Sequence, residues 1–227
     1  MFEHLKKVFG WSASSSEDHP SANAVSEWAG TQGFSYWDPG SGRGFTLTGE
    51  VSGRPWKLEL GAPSRDYIIG EELRARAELG VNEDAAVLII NRPLKDSLEK
   101  RAYEQYTDTL QTRVDSKFSE EMGWLSMYPE IGWDELPSEF WTRYAVLADR
   151  RSHAVAWIDQ NLAELLMSWP KPGPDEQVPF MLMLLRGKVY LRMQYSPACI
   201  ATLQHAAISY TTACQSAVVR LSTDIVL

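Results

Sequence analysis

Residues 178–195, VPFMLMLLRGKVYLRMQY, decide how this chain is read. The first eight are apolar throughout, and Arg186 with Gly187 breaks the run with a turn pair. Residues 188–195 then set Val189, Leu191 and Met193 against Lys188, Arg192 and Gln194. A period of two places alternate side chains on opposite faces of a strand. The pattern predicts a β-hairpin whose first strand is interior on both faces and whose second meets water on one.

Such a hairpin needs further strands beside it, and the sequence supplies them. Phe45, Leu47 and Val51 lie near a period of two, and Trp56, Leu58 and Leu60 alternate with Lys57 and Glu59. Between these runs Ser52 and Gly53 suit a tight hairpin turn. Residues 85–91 (AAVLIIN) read as a buried strand, and 140–148 (FWTRYAVLA) as another. Residues 71–79 (EELRARAEL) pull two ways. Their composition favours helix, with Glu72 four before Arg76, yet Leu73, Ala75, Ala77 and Leu79 alternate strictly with charges. Strand is preferred, because the neighbouring runs require a sheet partner.

Helices are expected at 22–32, 93–111, 151–169 and from Ser196 through Leu221, the last with Ser196 as N-cap and Pro197 in the first turn. In that last helix Ile200, Leu203, Ala207, Tyr210, Cys214, Ala217 and Leu221 recur at spacings of three and four. This seam is expected to pack within the chain, with a homodimer through the same helix as second choice. The fold class that follows is α+β: mainly antiparallel sheet, as one sheet or two, with about four helices packed on its faces. Residues 1–21 form an arm and linker, 22–111 a β-rich half, and 112–227 an α/β half. The stretch 112–139, broken by Gly123, Pro129, Gly132 and Pro137, is read as irregular and as the seam between halves, or as the middle of one continuous domain.

Of 227 residues, 44% are hydrophobic and 23% charged, an ordinary globular balance. A chain this long buries roughly 70–75% of its unfolded surface and needs no staples. The net charge of −8 argues against nucleic acid, whose backbone is bound by Lys and Arg displacing counterions. Cys199 and Cys214 fall in one expected helix, about 22 Å apart at 1.5 Å per residue, too far to bridge. Unbridged thiols, the lack of an Asn-x-Ser/Thr site and Lys6–Lys7 breaking the first apolar stretch favour a cytoplasmic setting. No apolar run approaches the ~20 residues that span a bilayer.

No chemistry-bearing motif stands out. The glycine-rich residues 38–44 (DPGSGRG) lead into a strand, where a phosphate loop would lead into a helix, so they read as a hairpin loop. His4, His19, His153 and His205 belong to no metal-ligand spacing; His4 and His19 fall in the N-terminal arm, and His153 and His205 lie on different helices with no adjacent acid at ligand spacing, so neither a metal nor a cofactor is expected. The acid pairs Glu71–Glu72, Glu120–Glu121 and Asp134–Glu135 read as solvated side chains. Residues 121–144 gather aromatics around chain breakers. From them Trp124, Tyr128, Trp133 and Trp141, together with Arg65, are the candidate binding residues. The competing reading of the same segment is a long connection that buries its own aromatics. Residues 1–11 suit a short amphipathic helix, with Phe2, Leu5, Phe9 and Trp11 as an anchor for a membrane or a partner, or else a frayed terminus.

Residues 53–68 (GRPWKLELGAPSRDYI), 72–79 (ELRARAEL), 107–112 (TDTLQT) and 178–197 resemble a group of conserved proteobacterial proteins with no assigned activity. The resemblance runs from about residue 25 to the C-terminus. It implies a bacterial, cytoplasmic protein and carries over no catalytic residue. Three functions are therefore expected, in this order. The first is a non-catalytic protein that binds or scaffolds a protein or small ligand. The second is an enzyme, such as a hydrolase, using Arg65, Asp66, Glu120, Glu121 or Asp134. The third is a peripheral membrane protein held by residues 1–11.

Overall fold

A computed structural model describes residues 19–40, 44–109 and 120–222. The described strands form one antiparallel sheet of nine, in the order β1-β2-β3-β4-β9-β8-β5-β7-β6. Along the chain these are β1 (Ser35–Trp37), β2 (Phe45–Val51), β3 (Arg54–Gly61), β4 (Glu72–Glu78), β5 (Ala86–Asn91), β6 (Glu130–Ile131), β7 (Tyr144–Ala148), β8 (Phe180–Leu185) and β9 (Lys188–Gln194). The expected hairpin is β8–β9, turning at Arg186 and Gly187, both at positive φ. The turn at Ser52 and Gly53 likewise joins β2 to β3. The stretch 71–79 is strand over Glu72–Glu78: β4 lies between β3 and β9, and Leu73, Ala75 and Ala77 are buried while Arg76 is exposed. Strands from 22–111 and 112–227 alternate in the sheet, since β9 pairs with β4 and β5 lies between β8 and β7.

Seven helices occur among the described residues, where about four were expected: α1 (Ala22–Thr31), α2 (Arg92–Thr109), α3 (Glu120–Met127), α4 (Ser138–Arg143), α5 (Arg151–Trp157), α6 (Gln160–Met167) and α7 (Ile200–Leu221). Three differences from the sequence reading explain the count. The helix expected over 151–169 is two, because the Asp159 carboxylate accepts the Leu162 N–H at 2.9 Å and starts a new helix there. The strand expected over 140–148 begins at Tyr144. The residues before it form α4, which brings Phe140 and Tyr144, four apart, into ring contact at 5.4 Å. And 112–139 is not irregular throughout, since α3 lies in it. The last helix also starts later than expected. Cys199, not Ser196, is its N-cap, the sulfur accepting from Thr202 N at 3.4 Å. Both cysteines are free thiols.

The two faces of the sheet differ. On the inner face α1, α4, α5, α6 and α7 bury the main core, which includes Leu47, Leu58, Leu73, Ile89, Val146, Leu182 and Leu191. The α7 seam is spent here: all seven of its positions except half-buried Ile200 are buried, and the Tyr210 hydroxyl donates to Val189 O at 3.1 Å. Trp157 Nε1 donates to Ala213 O and Ser216 Oγ to Trp157 O, so a large ring is buried with its polar atom paired. On the outer face α2 and α3 lie over β5, β7 and β8, through Leu88, Ile90, Leu94, Leu98, Met122, Ala145, Leu147, Met181 and Met183. The outer side chains of β2, β3, β4 and β9 extend beyond these helices.

Candidate functional site

Strand register lines up the outer side chains in rows that cross the sheet. One row runs Thr48, Lys57, Arg76, Tyr190, Met183, Leu88 and Leu147; the next runs Thr46, Glu59, Arg74, Arg192, Met181, Ile90 and Ala145. Both rows change character between β9 and β8, from polar to apolar. The apolar ends are dry because α2 and α3 lie on them. At the boundary a cleft of about 720 Å³ opens, lined by Lys57, Arg74, Arg76, Arg186 and Arg192, by Glu59 and Glu78, and by Trp124, Met183, Leu185 and Tyr190. Trp124 comes from α3 and is the helix's contribution to the wall.

Five cations face two carboxylates there, on a chain whose net charge is −8. Register sets Lys57 directly opposite Arg76 and Arg74 directly opposite Arg192. Like charges opposite one another on a sheet are destabilising, so nearby acids matter. Lys57 pairs with Glu59 at 2.7 Å, and Glu78 pairs with both Arg76 and Lys188. Hydrogen bonds from Lys188 and Arg76 hold the exposed Glu78 carboxyl below the usual range. Arg76 also lies 6.0 Å from the Tyr190 ring centroid.

Beside the cleft, two carboxylates are sunk between α3 and the sheet. Glu72 and Glu121 both have fully buried side chains, which corrects the expectation that they are solvated. Arg192 joins them: Nε donates to Glu72 Oε1 at 3.0 Å, and Nη1 to Glu121 Oε1. Ser64 adds its backbone N–H and its hydroxyl to Glu72, while Arg65 Nε, at 2.7 Å, and the Tyr67 hydroxyl, at 3.3 Å, reach Glu121. Burial, and then the Glu121 charge, raise the Tyr67 phenol above its ordinary range. Arginine keeps its proton at any ordinary pH, so this knot is an ion-paired fastening of α3 to β4 and β9.

The candidate binding residues separate in space. Trp133 and Trp141 meet edge to face at 4.9 Å, and both pack with the main core on the inner face. Trp124 and Tyr128 lie against the outer apolar cluster, Trp124 in the cleft wall. Arg65 belongs to the Glu121 pairing. Of the acids named for an enzyme, Asp66 pairs with Arg101 at 2.9 Å. Phe2, Leu5, Phe9 and Trp11 lie outside the described residues. His153 does have an acid nearby, contrary to expectation: its Nδ1 is 2.9 Å from Asp149, which also accepts from Ala86 N. Among the described residues, no group of three or more His, Cys, Asp or Glu side chains is placed to hold a metal, and no helix is long and apolar enough to cross a membrane. The sequence reading missed Lys57, Arg74, Arg76, Arg186 and Arg192 as a group. Four of them look like ordinary strand charges alone and Arg186 like a turn residue, and only the pairing of the strands brings them together.

No family model matches the chain, and neither does any curated protein. Among solved structures, the crystal structure of the mycobacterial trehalose monomycolate transport factor A, TtfA, is similar over 91% of this chain and 98% of that chain, with a TM-score of 0.46 and 9% identity. A likeness at that level carries no argument about function.

Proposed function

We propose that this is a non-catalytic binding protein whose ligand site is the cleft between α3 and the open outer face of β3, β4 and β9. The observation that carries this reading is the meeting of a cationic floor with the Trp124 wall in one concavity of about 720 Å³. That volume falls within the range of small-molecule sites, which are concave, largely apolar and oriented by a few polar groups. The polar lining suits holding a ligand better than transforming it. Its arginines neither give nor take a proton at neutral pH, and Glu78 is tied up in ion pairs. The setting we infer is a bacterial cytoplasm, in keeping with the resemblance of residues 53–68 and 178–197 and with two unbridged thiols.

The test is to titrate isotope-labelled protein with pooled small molecules while following backbone amides and the Trp124 indole, assigned with Trp124→Phe. Shifts should concentrate on β3, β4, β9 and α3, and the ligands should be recovered unchanged. Perturbations confined to other parts of the fold, or steady conversion of a bound compound, would refute the reading.

A further inference from the structure

The cleft's cations are not equivalent. Lys57 has Glu59 at 2.7 Å, Arg76 has Glu78, and Arg192 has both Glu72 and Glu121. Among the described residues, Arg74 has only a distant acid, Glu72 Oε2 at 4.0 Å from its Nη1. Its Nε is buried and has no hydrogen-bond partner among the described residues. Glu59 faces Arg74 in register but bonds to Lys57. The Arg74 guanidinium therefore stands among the four other cations of the cleft with donors to spare. Its side chain is 37% accessible, so a molecule in the cleft can reach it. A planar fork of N–H donors matches the oxygens of a phosphate or a carboxylate, and a concave site concentrates the field of its charges. On the other side of the same cleft, Trp124, Met183 and Leu185 offer a surface with no charge.

We propose that the cleft takes an oxyanion attached to an apolar body: a phosphate or carboxylate on Arg74, flanked by Lys57, Arg76 and Arg192, with the apolar part along Trp124, Met183 and Leu185. This rests on the cleft being the ligand site and specifies what fills it. The ligand's charge offsets the two like-charge oppositions, Lys57 with Arg76 and Arg74 with Arg192, that register imposes on this face.

The experiment is calorimetric titration of the full chain with dodecyl phosphate, laurate, inorganic phosphate and dodecyl maltoside, all below micelle formation and at low and moderate salt. Binding of dodecyl phosphate, laurate or both is expected, at least about tenfold tighter than inorganic phosphate or the uncharged maltoside, and weaker as salt rises. Whichever of the first two wins identifies the headgroup. Arg74→Gln should cost about tenfold, and shortening the alkyl chain should cost up to about fourfold per methylene. Lys57→Gln, at an exposed position, gives a second variant should Arg74→Gln fold poorly, and it should weaken binding in the same direction. Inorganic phosphate binding as tightly as dodecyl phosphate overturns the apolar arm, and maltoside binding as tightly overturns the anion. An unchanged affinity in a folded Arg74→Gln protein removes Arg74 from the site. If these probes fail while other compounds still perturb the cleft amides, the ligand class is wrong and the binding site stands. If nothing perturbs those amides, the site itself is wrong.

Discussion

Replacing Arg192 with Met removes a side chain that bonds both buried carboxylates. Arg192 Nε lies 3.0 Å from Glu72 Oε1, and its Nη1 bonds Glu121 Oε1, with both acids fully shielded from water. Breaking a buried ion pair from one side costs about 3–5 kcal/mol, because the remaining charge has neither partner nor solvent. Here each acid keeps some support. Glu72 retains the Ser64 N–H and hydroxyl, and Glu121 retains Arg65 at 2.7 Å and the Tyr67 hydroxyl. The lower end, about 3 kcal/mol, is therefore expected. In urea, with a slope of about 2–3 kcal/mol/M, that is a midpoint lower by about 1 M at unchanged slope. The triple variant Arg192→Met, Glu72→Gln, Glu121→Gln should regain much of the loss, since neutral amides keep the Ser64 and Tyr67 contacts without a buried charge. Hydrogen exchange should speed up in α3 before it does in β8, because Glu121 is the point at which α3 is fastened. A single variant within about 0.5 kcal/mol of the parent, or a triple variant no more stable than the single one, would refute the reasoning.

Three further outcomes follow from particular side chains. Gly44→Ala should destabilise by about 2–4 kcal/mol in thermal unfolding: φ there is +134°, and an added Cβ would sit 2.1 Å from Leu60 O, a backbone atom that cannot swing away. A native-like midpoint would mean that the loop before β2 relaxes freely. In native protein at mildly alkaline pH, Cys214 should resist a thiol reagent that labels it after denaturation, since burial pushes its thiol up to about 12; native labelling of Cys214 would contradict its place in the α7 seam. Burial is the leading cause that raises the phenols of Tyr67, Tyr144, Tyr195 and Tyr210 above their unfolded value of about 10. A raised folded-state value favours the native protein fully below about pH 10, and that contribution is lost as pH climbs further. Phenolate absorbance from these four should then appear together with alkaline unfolding, and separate, reversible titration of them in folded protein would count against their burial.

Much of the sheet was legible because its signals are local. β8 and β9 announce themselves by a turn pair and a change from continuous to alternating apolarity. β4 was legible once alternation was weighed above helix propensity, and a strand placed between β3 and β9 has its pattern enforced by two neighbours. Short elements were harder. β1 and β6 have three and two residues and exist by pairing with β2 and β7, so they carry no period of their own. Residues 140–143 of α4 read as strand in sequence because aromatic and β-branched residues dominate FWTRYAVLA, and the six residues of α4 are too few to show a helical repeat. The aromatic segment misled in part. Trp124 and Trp133 are nine positions apart, yet they pack on opposite sides of the sheet, and no local signal says which way a loop tryptophan turns.

The sequence by itself determined the elements whose side chains alternate or recur, the antiparallel α+β character, and which helix face of α7 is apolar, because those follow from strand and helix geometry within one segment. Tertiary structure alone decided that nine strands join in one sheet, that Glu72 and Glu121 are buried on a shared arginine, and that Lys57, Arg74, Arg76 and Arg192 form one cationic floor. Those residues lie on three strands up to 135 positions apart in the chain. Hydrogen-bond register between strands sets which side chains stand opposite one another, and it exists only once the strands have paired.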